Sequence, residues 1–183
     1  MLNNIPNIIS FARLAAVPVM VWLVINDEIL IAFWVFIAAG VSDAVDGFIA
    51  KRFNAVTELG AYVDPLADKA LLVSVYIVLG LEGYLETWLV ILVVFRDVVI
   101  IGGAIVFQIQ TSSLTMAPLF VSKVNTLAQI ILAALVLAVA GFQLDAEIIL
   151  VMMMGIVAVT TFLSGLVYVV KWSAMAGAME DDG

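Results

Sequence analysis

Six long apolar runs, separated only by short polar breaks, constrain the fold of this chain more than any other feature. The runs cover about residues 10–25, 29–48, 62–81, 87–107, 124–141 and 148–170. A helix needs about 20 residues, with a range of about 17 to 25, to cross the ~30 Å hydrocarbon layer of a bilayer. Charged residues make up 12% of the 183 residues, about half the share that a soluble domain carries. The sequence therefore predicts an all-α integral membrane protein with six transmembrane helices in one domain, residues 1–183.

The basic residues predict the orientation of these helices. If the helices alternate in direction, most of the basic residues, including Lys51 and Lys123, lie near one membrane face. The charged residues in the loops at the opposite face are all acidic. Lys and Arg are retained on the cytoplasmic side. We therefore expect cytoplasmic N- and C-termini, most simply in a bacterial cytoplasmic membrane. The first run is short, so we expect a short interfacial helix before it, along the membrane surface.

Four aspartates stand out around the loop between the second and third runs. Asp43 and Asp46 are three residues apart, and Asp64 and Asp68 are four apart, so each pair lies on one face of its helix. In an antiparallel hairpin that turns near Ala55, Asp43 lies level with Asp68, and Asp46 lies level with Asp64. The spacing thus predicts that four carboxylates converge between two helices.

These carboxylates require a positive partner. An aspartate at mid-membrane costs about 2.5–3.5 kcal/mol on insertion scales, and clustering adds like-charge repulsion. The chain has no histidine and no cysteine, which leaves carboxylates as its metal ligands and acid or base groups. Such a site suits Mg²⁺, Mn²⁺ or Ca²⁺. Pairs of metal ions that share carboxylates recur in enzymes that act at phosphorus.

Two glycines and a proline accompany the aspartates. Gly47 and Gly60 leave room for a ligand to approach the backbone closely. Pro65 is predicted to break or wedge the third helix near its cytoplasmic end. For any one aspartate, a helix cap or an interfacial surface charge is the alternative interpretation, but it explains all four at this spacing poorly.

This stretch resembles the signature of the CDP-alcohol phosphatidyltransferase family, D-x2-D-G-x2-A-R-x8-G-x3-D-x3-D. The matching residues, with every interval kept, are Asp43, Asp46, Gly47, Ala50, Lys51, Gly60, Asp64 and Asp68. Lys51 stands where the family has arginine, and Arg52 follows it. The positive charge is kept, but a bidentate grip on phosphate is lost unless Arg52 supplies it.

Two further segments resemble the glycerophospholipid branch of this family. The N-terminal pattern P-N-x2-[TS]-x2-R-x4-P is matched by Pro6, Asn7, Ser10, Arg13 and Pro18. The segments "FRDVVI" and "SKVNTLAQ" place polar residues where this branch has polar residues that face its active-site cavity. These residues are Arg96, Asp97, Lys123, Thr126 and Gln129.

The resemblance implies a reaction in phospholipid biosynthesis. A phosphatidyl group passes from CDP-diacylglycerol to an alcohol, with release of CMP, at a pair of Mg²⁺ or Mn²⁺ ions. It also implies a homodimer. The implied metal ligands are Asp43, Asp46, Asp64 and Asp68, and Asp68 is also the implied base. The implied nucleotide-substrate residues are Asn7, Ser10, Gly47, Ala50, Lys51 and Gly60.

The acceptor alcohol is less tightly constrained. Arg13, Arg96 and Lys123 are the spare cations that would bind an anionic acceptor, and they suit phosphatidylglycerol as well as glycerol 3-phosphate. For Arg96, which lies near mid-membrane, a structural ion pair with Asp97 or another carboxylate is the alternative. The sequences of the segments "FRDVVI" and "SKVNTLAQ" resemble the family members that form cardiolipin more than those that form phosphatidylglycerophosphate. We therefore expect phosphatidylglycerol first and glycerol 3-phosphate second.

Other classes of protein are less consistent with the sequence. A divalent-cation transporter is the alternative from another class, since it can also carry paired aspartates. Such transporters place polar residues near the midplane, often in inverted repeats, and no internal repeat is found here. The net charge of −8 gives no support for binding nucleic acid.

Overall fold

The computed structural model describes residues 5–53, 58–111 and 120–181, with side-chain surroundings for residues 11–43, 66–103, 120–171 and 173. Within these ranges the secondary structure is entirely α-helical. The six helices are α1 (Ile5–Ile25), α2 (Ile29–Phe53), α3 (Glu58–Leu81), α4 (Thr87–Thr111), α5 (Phe120–Gly141) and α6 (Glu147–Asp181). Each contains one of the six predicted apolar runs, which confirms the all-α prediction.

The helices form two compact units. The first comprises Met1–Glu86 and Ala133–Ala146, and the second comprises Thr87–Leu132 and Glu147–Gly183. In the first unit, α1 packs against both α2 and α3. In the second unit, α4 packs against α6. The two halves of α5 belong to different units.

Each unit has its own apolar core. Fully buried side chains of the first unit include Met20, Ala32 and Tyr76, and those of the second include Leu89 and Val157. Large apolar side chains on the outer surface are exposed in both units. Such a surface is typical of a protein that meets hydrocarbon rather than water.

Two of the described helices are long and apolar enough to cross a membrane. They are Phe120–Gly141, with mean hydropathy 2.1, and Glu147–Lys171, with mean hydropathy 2.3. Shorter apolar helical stretches, Phe11–Ile25 and Ile29–Asp43, occur in the first unit. The described residues thus support a membrane protein, whereas six spans and their orientation stay predictions.

Two local predictions need correction. No separate interfacial helix occurs within residues 5–25, because α1 runs through them without a break. Pro6 falls in its first turn, where a missing N–H costs nothing. Pro65 does not break α3, which continues through it from Glu58 to Leu81. The turn near Ala55 lies outside the described residues.

The helices α1, α3 and α5 end in the same hydrogen-bonded turn. The second residue after each helix has a positive φ: 62° at Asp27, 79° at Gly83 and 53° at Gln143. In the first of these turns, the N–H of Glu28 donates to the carbonyl of Leu23 at 2.9 Å. This is the Schellman arrangement, which pairs carbonyls that a helix end leaves open. It allows short, tight connections between successive helices.

Candidate functional site

Arg13 lies at the centre of a cluster formed by the first three helices. Its side chain is buried, and its Nη1 lies 2.9 Å from Asp43 Oδ1 on α2. The same Nη1 donates a hydrogen bond to Asp68 Oδ1 on α3. We call these three residues the Arg13 cluster. One guanidinium nitrogen of α1 therefore joins carboxylates from two other helices.

The geometry agrees with the register predicted from the sequence. Asp43 and Asp68 are separated by 25 positions, yet both reach the same nitrogen atom, so they lie level with each other. Their side chains are 48% and 42% exposed, against 2% for Arg13. The two carboxylates are therefore open to a ligand on one side and held by a buried cation on the other.

The chemistry of the Arg13 cluster fits part of a divalent-metal site. Carboxylate oxygens are the ligands that Mg²⁺ and Mn²⁺ prefer, and Asp43 and Asp68 present two such groups together. The described side chains contain no group of three or more ligating residues. The other two predicted ligands, Asp46 and Asp64, lie outside the described side chains. The cluster thus supplies half of the predicted ligand set.

Several other predicted site residues also lie outside the described side chains. They are the predicted nucleotide-substrate residues Asn7, Ser10, Gly47, Ala50, Lys51 and Gly60. Their positions in the chain place Asn7 and Ser10 on α1, Gly47, Ala50 and Lys51 on α2, and Gly60 on α3. Their roles stay predictions.

A second buried arginine, Arg96 on α4, has a different set of partners. Its Nη1 lies 2.6 Å from Oδ1 of its neighbour Asp97, and its Nη2 donates to Ser122 Oγ at 2.6 Å. Both Nε and Nη2 also donate to Ser164 Oγ on α6. We call these four residues the Arg96 cluster. The ion pair with Asp97 matches the structural role that the sequence left open for Arg96, as the alternative to binding the acceptor.

The three predicted acceptor-binding cations have three different surroundings. Arg13 contacts the two carboxylates of the first unit, and Arg96 belongs to a buried cluster of the second unit. Lys123 is exposed on α5. Carboxylate partners compensate the positive charges of Arg13 and Arg96, so neither arginine presents its full charge to a ligand.

Asn125 is a buried polar residue that the sequence analysis did not select. Its Oδ1 accepts hydrogen bonds from the hydroxyls of Thr160 and Thr161 on α6, each at 2.9 Å. It lies one turn along α5 from Ser122 of the Arg96 cluster. The signal for it was present, because "SKVNTLAQ" puts Ser122, Asn125 and Gln129 on one face of a helix.

Comparison with known proteins decides the family. The model of the CDP-alcohol phosphatidyltransferase family matches residues 3–176. The chain belongs to this family. The match covers both units and includes all four aspartates, as the resemblance implied. It gives no support to a divalent-cation transporter.

Curated relatives of this CDP-alcohol phosphatidyltransferase carry names of two kinds. The rice chloroplastic protein named CDP-diacylglycerol–glycerol-3-phosphate 3-phosphatidyltransferase 1 is 34% identical over 92% of this chain and 57% of its own length. The human cardiolipin synthase (CMP-forming) is 33% identical over 90% of this chain and 60% of its own length. The Bacillus subtilis CDP-diacylglycerol–glycerol-3-phosphate 3-phosphatidyltransferase is 31% identical over 94% and 97%.

The chain spans less than two thirds of the length of the rice and human relatives, and nearly all of the Bacillus subtilis relative. The names of these relatives include a cardiolipin synthase and two glycerol-3-phosphate phosphatidyltransferases. Sequence identity to this chain does not distinguish the two kinds of relative, since the values differ by only a few per cent.

Proposed function

We propose that this chain transfers a phosphatidyl group from CDP-diacylglycerol to an alcohol acceptor and releases CMP. The observation that carries the proposal is the Arg13 cluster, in which two signature aspartates on different helices converge and remain half exposed. Their exposed oxygens are accessible to a cation or a substrate, as the proposed reaction requires. The names of the relatives support the same reaction.

The proposed roles follow the signature. Asp43, Asp46, Asp64 and Asp68 hold two divalent cations, Mg²⁺ or Mn²⁺, and this family generally depends on a divalent metal. When bound, the metals neutralise the pyrophosphate and make CMP a better leaving group. On the family resemblance alone, the nucleotide end of the substrate is assigned to Asn7, Ser10, Gly47, Ala50, Lys51 and Gly60.

The chain's own acid–base chemistry centres on Asp68. The acceptor hydroxyl oxygen attacks the phosphorus of the phosphatidyl group, and its proton passes to a carboxylate oxygen of Asp68. A new P–O bond forms while the bond from that phosphorus to the oxygen of CMP breaks. Arg13 holds the Asp68 carboxylate in place during this transfer and keeps Asp43 level with it.

We propose phosphatidylglycerol as the acceptor, which gives cardiolipin, with glycerol 3-phosphate as the second candidate. The charge of the described clusters supports this order. Arg96 is paired with Asp97 at 2.6 Å, and Arg13 with two aspartates. A phosphodiester carries one negative charge, whereas a phosphomonoester carries about 1.5 to 2 at neutral pH. Surroundings with little uncompensated positive charge favour the phosphodiester.

The proposed setting is a single domain, residues 1–183, with six transmembrane helices and both termini in the cytoplasm. Two described helices are suited to spanning a membrane, and the charge distribution supports the orientation. The bacterial cytoplasmic membrane, an active site near its cytoplasmic face and a homodimer are part of the same proposal. The last of these rests on the family resemblance alone.

The function is tested by measuring CMP. Purified protein is incubated with CDP-diacylglycerol, Mn²⁺ and either phosphatidylglycerol or glycerol 3-phosphate, and the CMP and the lipid product are quantified. We expect CMP and cardiolipin with phosphatidylglycerol, loss of both with EDTA, and recovery with Mg²⁺ or Mn²⁺. Release of CMP with glycerol 3-phosphate alone would move the assignment to phosphatidylglycerophosphate synthesis. No CMP with either acceptor contradicts the proposed reaction.

A further inference from the structure

The contacts of Arg13 engage one oxygen of each carboxylate in its cluster. Its Nη1 lies 2.9 Å from Asp43 Oδ1 and donates a hydrogen bond to Asp68 Oδ1. All three side chains belong to the first unit. Both carboxylates are about half exposed, whereas the guanidinium is buried. A cation that approaches from the exposed side therefore meets two carboxylates whose Oδ1 atoms already face a positive charge.

Burial makes this arrangement hard to undo. Only 2% of the Arg13 side chain is exposed, and a buried guanidinium that loses its carboxylate partners leaves an uncompensated charge in an interior of low dielectric. Each Oδ1 keeps a second lone pair, but a divalent ion bound there would lie beside the guanidinium, and like charges repel. Arg13 therefore opposes any cation that needs both oxygens of either carboxylate.

Divalent cations differ in how many carboxylate oxygens they need. Ca²⁺ takes about six to eight oxygen ligands, and carboxylates bind it through one oxygen or through both. Mg²⁺ is smaller, requires nearly ideal octahedral geometry and keeps several waters, so one oxygen from each carboxylate is enough. Mn²⁺ also suits octahedral oxygen sites. Carboxylate ligands by themselves suit all three ions, so a distinction between them must come from another group at the site.

We propose that Arg13 makes the site select Mg²⁺ or Mn²⁺ over Ca²⁺, because its guanidinium engages one oxygen of Asp43 and one of Asp68. Arg13 is then a positioning residue that acts on the cation through two of its ligands. This role differs from the acceptor binding predicted for it from the sequence. The inference rests on the proposed function, since the cations concerned are those of the proposed reaction.

The first test uses wild-type protein and needs no turnover. Detergent-solubilised protein is stripped of metal with EDTA, desalted and titrated with Mn²⁺ alone, and the free Mn²⁺ is measured by electron paramagnetic resonance. Mg²⁺ and Ca²⁺ are then added in separate titrations to displace the bound Mn²⁺, which gives a Kd for each ion. We expect the Kd for Ca²⁺ to exceed that for Mg²⁺ by about tenfold, the effect of one hydrogen bond that Ca²⁺ would have to break.

The second test removes the guanidinium. Arg13→Met leaves neither a charge nor an N–H donor beside the carboxylates, so both ions should bind more tightly, and Ca²⁺ should gain more than Mg²⁺. We expect the ratio of the Kd for Ca²⁺ to the Kd for Mg²⁺ to fall about tenfold. The ratio separates selection from simple charge repulsion, which would change both Kd values by the same factor.

Two further variants sharpen the second test. Arg13→Lys keeps a positive charge with N–H donors but lacks the planar fork, so it should retain part of the wild-type ratio. Leu14→Ala is the matched control, because it truncates the exposed side chain of the next residue on α1 and should leave the ratio unchanged. Thermal unfolding of each variant establishes that the protein titrated is folded.

The outcomes distinguish this inference from the proposed function. A wild-type protein that binds no Mn²⁺, or that binds Ca²⁺ as tightly as Mg²⁺, overturns the selection, even if the Arg13 variants fail to fold. An unchanged ratio in folded Arg13→Met, or an equal fall in Leu14→Ala, also overturns it. The proposed function fails separately, if wild-type protein releases no CMP with either acceptor. Release of CMP by wild-type protein together with an unchanged ratio in Arg13→Met would leave the function standing and the role of Arg13 in selection wrong.

Discussion

Two buried arginines, Arg13 and Arg96, meet their carboxylate partners in different ways. Arg13 reaches Asp43 and Asp68 on two other helices, and both of these carboxylates are about half exposed. Arg96 pairs with Asp97, the next residue in the chain, and only 3% and 2% of their side chains are exposed. One cation therefore borders an accessible site, and the other is enclosed with its partner.

The difference in exposure assigns different energetic roles to the two arginines. A buried ion pair whose partners are both desolvated is costly to break, because a charge is then left unpaired in a low-dielectric interior. Half-exposed carboxylates can be hydrated or can bind a cation when their arginine is removed. We therefore expect substitutions in the Arg96 cluster to affect stability first, and substitutions in the Arg13 cluster to affect turnover first.

The largest expected effect is on turnover in the Arg13 cluster. Asp68→Asn removes the proposed base, so CMP release should fall about 10³-fold, within the range that general base catalysis contributes. Binding of CDP-diacylglycerol should remain, measured by equilibrium binding of the labelled lipid. Asp145→Asn, a change to an exposed carboxylate in the loop before α6, is the control. A wild-type rate for Asp68→Asn would exclude its role as base.

The next effect is on stability in the Arg96 cluster. Arg96→Met removes the guanidinium that lies 2.6 Å from the buried Asp97 carboxylate, and the free energy of unfolding should fall by about 3–5 kcal/mol. The double variant Arg96→Met/Asp97→Leu removes both charges and should recover most of this loss. Denaturant titration in mixed micelles measures both values, with the exposed Val98→Ala as control.

A different result in either variant would contradict the structural role assigned to the Arg96–Asp97 pair. If Arg96→Met costs little stability, or if the double variant is no more stable than the single one, the pair is not the enclosed structural element that its burial indicates. A specific rise in acceptor KM in a stable Arg96→Met protein would instead support the acceptor-binding role predicted for Arg96 from the sequence.

Arg13 gives the reciprocal test. Arg13→Gln removes the group that holds Asp43 and Asp68 level, and misplacing a catalytic group by about 1 Å can cost roughly 10²-fold in rate. The unfolding free energy should fall by only about 1 kcal/mol, since both carboxylates are partly hydrated. Arg13→Lys keeps the charge without the planar fork and should recover part of the rate. CMP release and unfolding are measured on the same preparations.

If Arg13→Gln affects stability more than turnover, as expected for Arg96→Met, the two arginines do not have the different roles that we assign to them. A stability loss of several kcal/mol with an unchanged rate per folded molecule would show that Arg13 is a structural counter-ion. Equal losses for Arg13→Gln and Arg13→Lys would show that the shape of the guanidinium matters more than its charge.

The same two clusters show how much could be predicted from the sequence. Six helices and the level positions of Asp43 and Asp68 follow from hydropathy and from spacing across one hairpin. Arg13 could not be identified as their partner, because it is 30 and 55 positions away from them. That contact depends on how α1 is rotated between α2 and α3, and hydropathy does not determine this rotation when apolar residues surround the helix.

Arg96 and Asn125 illustrate the opposite difficulty. The ion pair of Arg96 with Asp97 was one of two interpretations, and only burial of both side chains favours it. Asn125 stood in a segment already noted for polar residues, but its importance depends on the hydroxyls of Thr160 and Thr161, on another helix. A periodic pattern shows which residues share a face, not which group of another helix lies opposite.

The smallest expected effect lies outside both clusters, in an exposed hydrogen bond between two loops of the first unit. Tyr84 donates from its hydroxyl to Asp27 Oδ1 at 2.8 Å, and this bond to a carboxylate raises the pKa of Tyr84 above its ordinary value of 10.0. Tyr84→Phe should lower the unfolding free energy by less than about 1 kcal/mol, because solvent screens the contact.

The contribution of this hydrogen bond to stability should depend on pH. Because the pKa of Tyr84 is higher in the folded state than in the unfolded state, the contribution is fully present below pH 10 and is lost as the pH rises through the folded-state pKa. Unfolding of wild-type and Tyr84→Phe protein at pH 8 and pH 11 checks this. A difference that grows with pH would contradict it, and a loss as large as that of Arg96→Met would remove the contrast between enclosed and exposed contacts on which the comparison depends.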